Sequence, residues 1–258
     1  MIALADCNNF FASCKGSLRA VLEDLPIVVL SNNYGCIIAR SKEAKALGYK
    51  KGEPVFKVKD KLIRDKVHIF SANVGLYIDI SQKIMQILAS ECNAMEVYSI
   101  DEAFMNFTDV ACPDEKAILL REQVLRETKT PITIGIAKTK VLAKLASNIA
   151  KKHRSKGAFL FTDRALISRA LDYYSVEDLW GVGNRMAKKL NNKGISNASQ
   201  LAQLDETWLR EYINICGVRL VRELNGIPCS DLVETKSAKK SIMNSRSFKK
   251  ELSSLLEL

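Results

Sequence analysis

The sequence has only two histidines, His68 and His153, and neither has ligand-like neighbours. Its seven cysteines (Cys7, Cys14, Cys36, Cys92, Cys112, Cys216 and Cys229) are odd in number and contain no C-x-x-C pair. These shortages argue against a structural zinc site and against a disulfide framework. The thiols read as reduced and the compartment as cytoplasmic. No stretch approaches the ~20 apolar residues that span a bilayer. Met1-Ile-Ala-Leu-Ala-Asp6 lacks a basic segment and meets an acid at once, unlike a secretory leader. No internal repeat or low-complexity tract is present. Acid is the scarcer charge, with 29 Asp and Glu against 39 Lys and Arg, a formal net charge of +10. That balance favours an acidic partner, nucleic acid first among them.

The 258 residues can hold one large domain or two ordinary ones, and a hydrophobic content of 47% is that of a packed globular protein. Ile2 to Ala5 reads as a short buried strand stopping at Asp6. Asn8 to Leu22 reads as a turn and a helix. Pro26 to Leu30 and Gly35 to Ala39 read as strands of a hairpin through Asn33-Tyr34-Gly35. Arg40 to Leu47 is helical, with Gly48 as its stop. Gly75 to Glu91 is a longer helix, with Ile80, Ile84, Ile87 and Leu88 at helical spacing. Met95 to Ile100 and Ala103 to Phe107 read as a hairpin linked by Asp101-Glu102. Lys116 to Arg126 is a helix, Ile132 to Ala137 a strand and Thr139 to Lys152 a helix. This order implies an α+β layer, one sheet with helices on one face. After about Ala158 strand signals fade and a Gly-punctuated helical segment follows, so a domain boundary is expected near Thr162. Glu234 to Lys250 is polar and basic and reads as a linker.

The scarce acids fall in telling places. Asp6 ends an apolar strand, so its backbone is expected to be buried while its carboxylate emerges. Asp101 and Glu102 sit at a hairpin tip inside Tyr98-Ser-Ile-Asp-Glu-Ala-Phe104. If the first strand lies beside that hairpin, three carboxylates converge. Alone they repel one another; divalent cations remove the conflict and supply Lewis acidity. An isolated Asp-Glu pair is also what an ordinary solvated turn offers.

The strings Asp6-Cys-Asn-Asn-Phe-Phe11, Tyr98-Ser-Ile-Asp-Glu-Ala-Phe104 and Leu30-Ser-Asn-Asn-Tyr-Gly-Cys-Ile-Ile-Ala-Arg40, followed by Glu43-Ala-Lys-Ala-Leu-Gly48, resemble the translesion Y-family DNA polymerases, in their UmuC-like branch. The resemblance runs from Met1 to about Phe248. It implies error-prone, template-directed transfer of deoxynucleotides to a primer 3′ end in the SOS DNA-damage response. It also implies a palm (1–10 and 75–162), small fingers (11–74) and an all-helical thumb with a helix-hairpin-helix (163–233). Two Mg2+ ions would be held by Asp6, Asp101 and Glu102, with the backbone carbonyl of Cys7 as a further ligand.

For the nucleotide, the resemblance implies Phe11 as the steric gate against a 2′-hydroxyl. The backbone of Phe10 and Phe11 would cradle phosphate; the Phe10 side chain reads as core. Lys42 and Lys45 match the fingers positions that contact triphosphate, with Arg40 a nearby alternative. On the Thr139 helix, Lys140, Lys144 and Lys151 share a face at 3.6 residues per turn; Lys151 matches the triphosphate lysine and Lys144 stays open. A basic helix face is also commonly just solvated.

Leu179-Trp-Gly-Val-Gly183 before a helix resembles a helix-hairpin-helix. Its Gly181 and Gly183 would let the backbone approach DNA phosphates, with Arg185, Lys188 and Lys189 adding charge. A Gly-rich turn packing two helices is the plain alternative. Ile215-Cys-Gly217-Val218 offers a weaker second hairpin, and Trp180 and Trp208 read as core. Implied partners are primer-template DNA, deoxynucleoside triphosphates, a UmuD-like subunit and RecA, with no membrane. The match fades after Ser245-Arg-Ser-Phe248, so 234–258 is expected to be a linker and truncated tail with the little-finger domain absent. The competing expectation is a catalytically weak or inactive DNA-binding module.

Overall fold

The computed structural model describes residues 1–17, 20–22, 24–31, 35–152, 157–233, 241–243 and 254. The expected turn at Asn33-Tyr34 and most of the expected linker and tail lie outside the described residues. In chain order the elements are β1 (Ile2–Cys7), α1 (Phe10–Ser17), β2 (Ile27–Leu30), β3 (Ile37–Arg40), α2 (Lys42–Ala46), α3 (Val55–Arg64), β4 (His68–Ser71) and α4 (Val74–Ser90). Next come β5 (Met95–Val97), β6 (Glu102–Asn106), α5 (Pro113–Thr128), β7 (Ile132–Ala137), α6 (Lys140–Lys152) and β8 (Ala158–Leu160). The helices α7 (Arg164–Tyr173), α8 (Asn184–Asn191), α9 (Ala198–Ala202), α10 (Glu206–Tyr212) and α11 (Ile215–Leu224) complete the series.

The chain divides into two compact units, Met1–Asn8 with Ser81–Glu234 and Asn9–Ile80 with Thr235–Leu258. In the first, a five-stranded sheet runs β5-β6-β1-β7-β8. The apolar strand β1 lies at its centre, antiparallel to β6 and β7, as a strand buried on both faces should. Leu4 and Phe104 share one face. The other face, with Ala3, Met105 and Ile136, is also buried. Helix α6 lies close over Gly135, where a Cβ would come within 2.1 Å of the Ser147 amide nitrogen and 2.3 Å of the Ala143 oxygen. Only glycine allows that approach.

One hydrophobic cluster joins Leu4, Phe104, Leu142 and Leu145 to Leu179, Leu190, Leu201 and Leu220 of the helical segment. Sheet and helices 164–224 therefore share a core despite the change in sequence character at Ala158. The short strand β8, unforeseen in the sequence, adds parallel to β7.

In the second unit, β2 pairs antiparallel with β3 and parallel with β4. Val28, Leu30, Ile37, Ala44, Tyr49, Val58 and Leu62 form its core. The Ser41 side chain caps α2, and Gly48 at φ +85° follows its end. None of the seven cysteines forms a disulfide. Among the described residues no helix is long and apolar enough to cross a membrane.

Candidate active site

The β1–β6 register sets Asp6 directly opposite Glu102. Both therefore point to the sheet face that carries Leu4 and Phe104, the face under α6. Asp6 is 5% exposed. Its Oδ1 pairs with Lys151 Nζ at 2.5 Å and its Oδ2 with Lys144 Nζ at 3.2 Å. The same Lys144 ammonium also pairs with Glu102 Oε1, so it stands between the two carboxylates. Lys144 and Lys151 lie seven residues apart, two turns of one helix, which is why both reach the strand end.

Burial alone would raise the Asp6 carboxyl. The charges of Lys151 and Lys144 outweigh it and hold Asp6 below the ordinary carboxylate value. Glu102 goes the other way: burial first, then the Asp6 charge, push it up in spite of Lys144. Burial pulls on the Lys144 ammonium too, but the two carboxylates win and raise it.

Asp101 is placed differently. Its carbonyl accepts from the Cys7 N–H at 2.9 Å, tying the loop to β1, while its Oδ1 accepts from Ser99 Oγ at 2.6 Å. The structure thus brings Asp6 and Glu102 together and turns the Asp101 carboxylate to its own loop. Among the described residues no group of three or more His, Cys, Asp or Glu is gathered as a metal cluster. The donor set nevertheless suits a hard divalent cation. A buried and a half-buried carboxylate already hold a cationic group, the Lys144 ammonium, between them.

The helix face expected to be uniformly basic is split. Lys140 is buried; its Nζ donates to Glu96 Oε2 at 2.5 Å and to the Asp231 carbonyl at 2.7 Å. It serves packing, while Lys144 and Lys151 serve the carboxylates.

In the second unit Phe10 is buried and Phe11 is half-buried, stacked on Tyr77 with centroids 4.3 Å apart and planes 14° apart. Lys42 and Lys45 are exposed, and Lys45 Nζ donates to Asn9 Oδ1. Arg40 donates to the Tyr49 carbonyl at 2.6 Å, which commits it to the fold.

Leu179 to Val182 form a turn closed by the Val182 N–H on the Leu179 carbonyl at 3.0 Å. Gly181 at φ +93° occupies its third position, as a type II turn requires, and Gly183 is the N-cap of α8. Leu179 and Val182 are buried, whereas Gly181, Gly183, Arg185, Lys188 and Lys189 are exposed. At the weaker hairpin the Asn214 side chain accepts from the Cys216 and Gly217 N–H groups, so the protein caps that helix start itself. Trp208 is half-buried against the core and stacked on Tyr212; Trp180 is half-buried too.

Residues 5–148 match the model of the impB/mucB/samB family. The chain belongs to that family. Its curated relatives include the protein UmuC of Salmonella typhimurium strain LT2, 45% identical over 96% of this chain and 60% of the relative. The protein ImpB of Salmonella typhimurium is 43% identical over the same shares. The chain thus spans about 60% of the length of these relatives. An insertion ternary complex of Dbh DNA polymerase aligns with a TM-score of 0.75 at 24% identity, covering 87% of this chain and 67% of the other. The fold of this family member is accordingly that of the Y-family DNA polymerases, mixed α and β.

Proposed function

We propose that this UmuC-like chain carries the nucleotidyl-transfer core of a translesion DNA polymerase, adding deoxynucleotides to a primer 3′ end across damaged template in the SOS response. The observation that carries the reading is the buried Asp6 held opposite the half-buried Glu102 with a lysine head between them. In this reading residues 1–10 and 75–162 are the palm, 11–74 the fingers and 163–233 the thumb.

Asp6, Glu102 and Asp101, with the Cys7 carbonyl, would hold two Mg2+ ions, Asp101 after a side-chain turn away from Ser99. When bound, the ions supply Lewis acidity to the primer hydroxyl and charge neutralisation to the triphosphate. Lys151, freed from Asp6, binds the triphosphate, and Lys144 leaves the gap between the carboxylates. Lys42, Lys45 and the Phe10–Phe11 backbone would contact phosphate, and Phe11 the sugar. The exposed turn at Gly181 and Gly183, with Arg185 and Lys188, holds primer-template DNA through its phosphates and positions it without reading sequence. A UmuD-like subunit and RecA are the expected protein partners, and the cytoplasm the expected compartment.

A second reading has an observation in its favour: the carboxylates are already paired with lysines and Asp101 is turned away. In that reading the chain binds DNA and transfers nothing. Primer extension with Mg2+, run beside a full-length UmuC-like relative, separates the two. Extension by this chain that vanishes in Asp101→Ala supports the polymerase. Extension by the relative alone, with DNA binding retained here, supports the binding module.

A further inference from the structure

Trp180 sits at the corner of the exposed glycine turn, yet its ring faces the carboxylate loop. Its Nε1–H donates to the Tyr98 hydroxyl at 3.2 Å, 82 residues away in sequence. The Tyr98 and Trp180 rings meet edge to face, with centroids 5.5 Å apart and planes at 86°. Phe104 closes the trio, 5.6 Å from Tyr98 and 5.8 Å from Trp180. Two of the three are anchored. Phe104 is fully buried, with the Lys140 ammonium 5.2 Å from its centroid, and Trp180 is flanked by the turn's buried Leu179 and Val182.

Tyr98 is the open member, 46% exposed, and it begins the loop that ends at Glu102. The Tyr98 and Ser99 N–H groups both donate to the Glu102 carbonyl, at 3.0 and 3.1 Å. Ser99 in turn holds the Asp101 carboxylate. The orientation of one exposed tyrosine therefore bears on both acids of the loop, and Trp180 is what covers it.

We propose that Trp180 is a positioning residue for the candidate active site. Its indole clamps Tyr98, fixes the 98–102 loop that presents Asp101 and Glu102, and ties that loop to the glycine turn. The clamp rests only on the contacts above. Its consequence for metal binding rests on the polymerase reading.

Amide hydrogen exchange of the full chain tests the clamp without metal or DNA. An aromatic contact of this kind is worth a factor of about 2 to 10 in a local opening equilibrium. Trp180→Ala should speed exchange of the Tyr98 and Ser99 amides by about that factor, and Trp180→Phe, which keeps the ring packing, should restore most of the protection. Trp208→Ala removes the other tryptophan of the helical segment and should leave the loop unchanged. A folded Trp180→Ala protein with wild-type exchange over 98–102 overturns the proposal. Should that variant not fold, Trp180→Leu, which fills space without a flat ring, decides the same question.

Manganese affinity, read by electron paramagnetic resonance without DNA, supplies the second readout. It should weaken in Trp180→Ala and recover in Trp180→Phe; unchanged affinity beside a loosened loop overturns the positioning role. A wild-type chain that binds no manganese contradicts the polymerase reading, while the exchange measurement still decides the clamp.

Discussion

Replacing Lys144 by methionine removes the cation that stands between Asp6 and Glu102 and leaves the hydrocarbon stem nearly intact. Lys144 Nζ lies 3.2 Å from Asp6 Oδ2, and the three side chains are only 15%, 7% and 16% exposed. At about 4 Å and an effective dielectric near 20, one such pairing is worth roughly 4 kcal/mol before desolvation. Removing one partner of a buried pair typically costs about 3–5 kcal/mol. Lys151 still neutralises part of the charge, so the lower end, about 3 kcal/mol, is expected. For a domain of this size that lowers the melting temperature by about 6–12 °C.

The pH dependence has a definite sign. Asp6, depressed in the fold, gives stability above the ordinary carboxylate value that is lost as pH falls through its folded value. Glu102, raised, costs stability as pH rises toward its folded value. Lys144, raised, contributes fully below the ordinary ammonium value and loses that contribution as pH rises through its folded one. The deficit of Lys144→Met should therefore be widest between about pH 5 and pH 10 and shrink on both sides. Added Mg2+ should narrow it by filling the vacated place. Thermal melts over pH, with and without Mg2+, make the check. Equal melting of variant and wild type across that window refutes the electrostatic argument.

Gly135→Ala should force α6 off the sheet, since its Cβ would lie 2.1 Å from the Ser147 amide nitrogen; a loss of about 3 kcal/mol is expected in denaturant titration, with a correspondingly weaker manganese site. Tyr49 donates to Asp65 at 2.9 Å, and burial followed by that bond raises its hydroxyl to about 12. Wild-type stability relative to Tyr49→Phe should thus be constant between the ordinary aspartate value of about 4 and the ordinary tyrosine value of about 10, fall as pH rises through about 12, and fall again in acid, because the Tyr49 bond holds the Asp65 carboxyl down. Asp101→Ala should abolish primer extension and spare DNA binding, whose log affinity should fall with log salt by about 0.9 per phosphate contacted.

Much of the site could be read in the sequence because the local signals were strong. An apolar run ending in Asp6 demanded a buried strand, and Asp101-Glu102 between two apolar runs demanded a hairpin. Their pairing brought Asp6 opposite Glu102 as a convergence of acids requires. The helical pattern from Thr139 to Lys152 likewise foretold α6. What escaped reading depends on tertiary context. Lys140 and Lys144 look equally solvated in a helical pattern, yet one is buried on Glu96 and the other bridges the carboxylates. The helix α3 and strand β4 were missed because charged residues interrupt the one and His68 opens the other; β8 has only three residues. The link from Trp180 to Tyr98 joins segments with no local pattern in common. The Asp101 rotamer is set by a serine two residues away, a choice no periodicity encodes.

Asp6 and Glu102 are proposed to form a divalent-cation site held by Lys144 until metal arrives. Anomalous diffraction from crystals soaked in manganese, with primer-template DNA and a non-reacting nucleotide, tests it most directly. A manganese peak between Asp6 and Glu102, with Lys144 Nζ displaced from both, is expected. Lys144 still bridging the two carboxylates, with no peak between them, would contradict it.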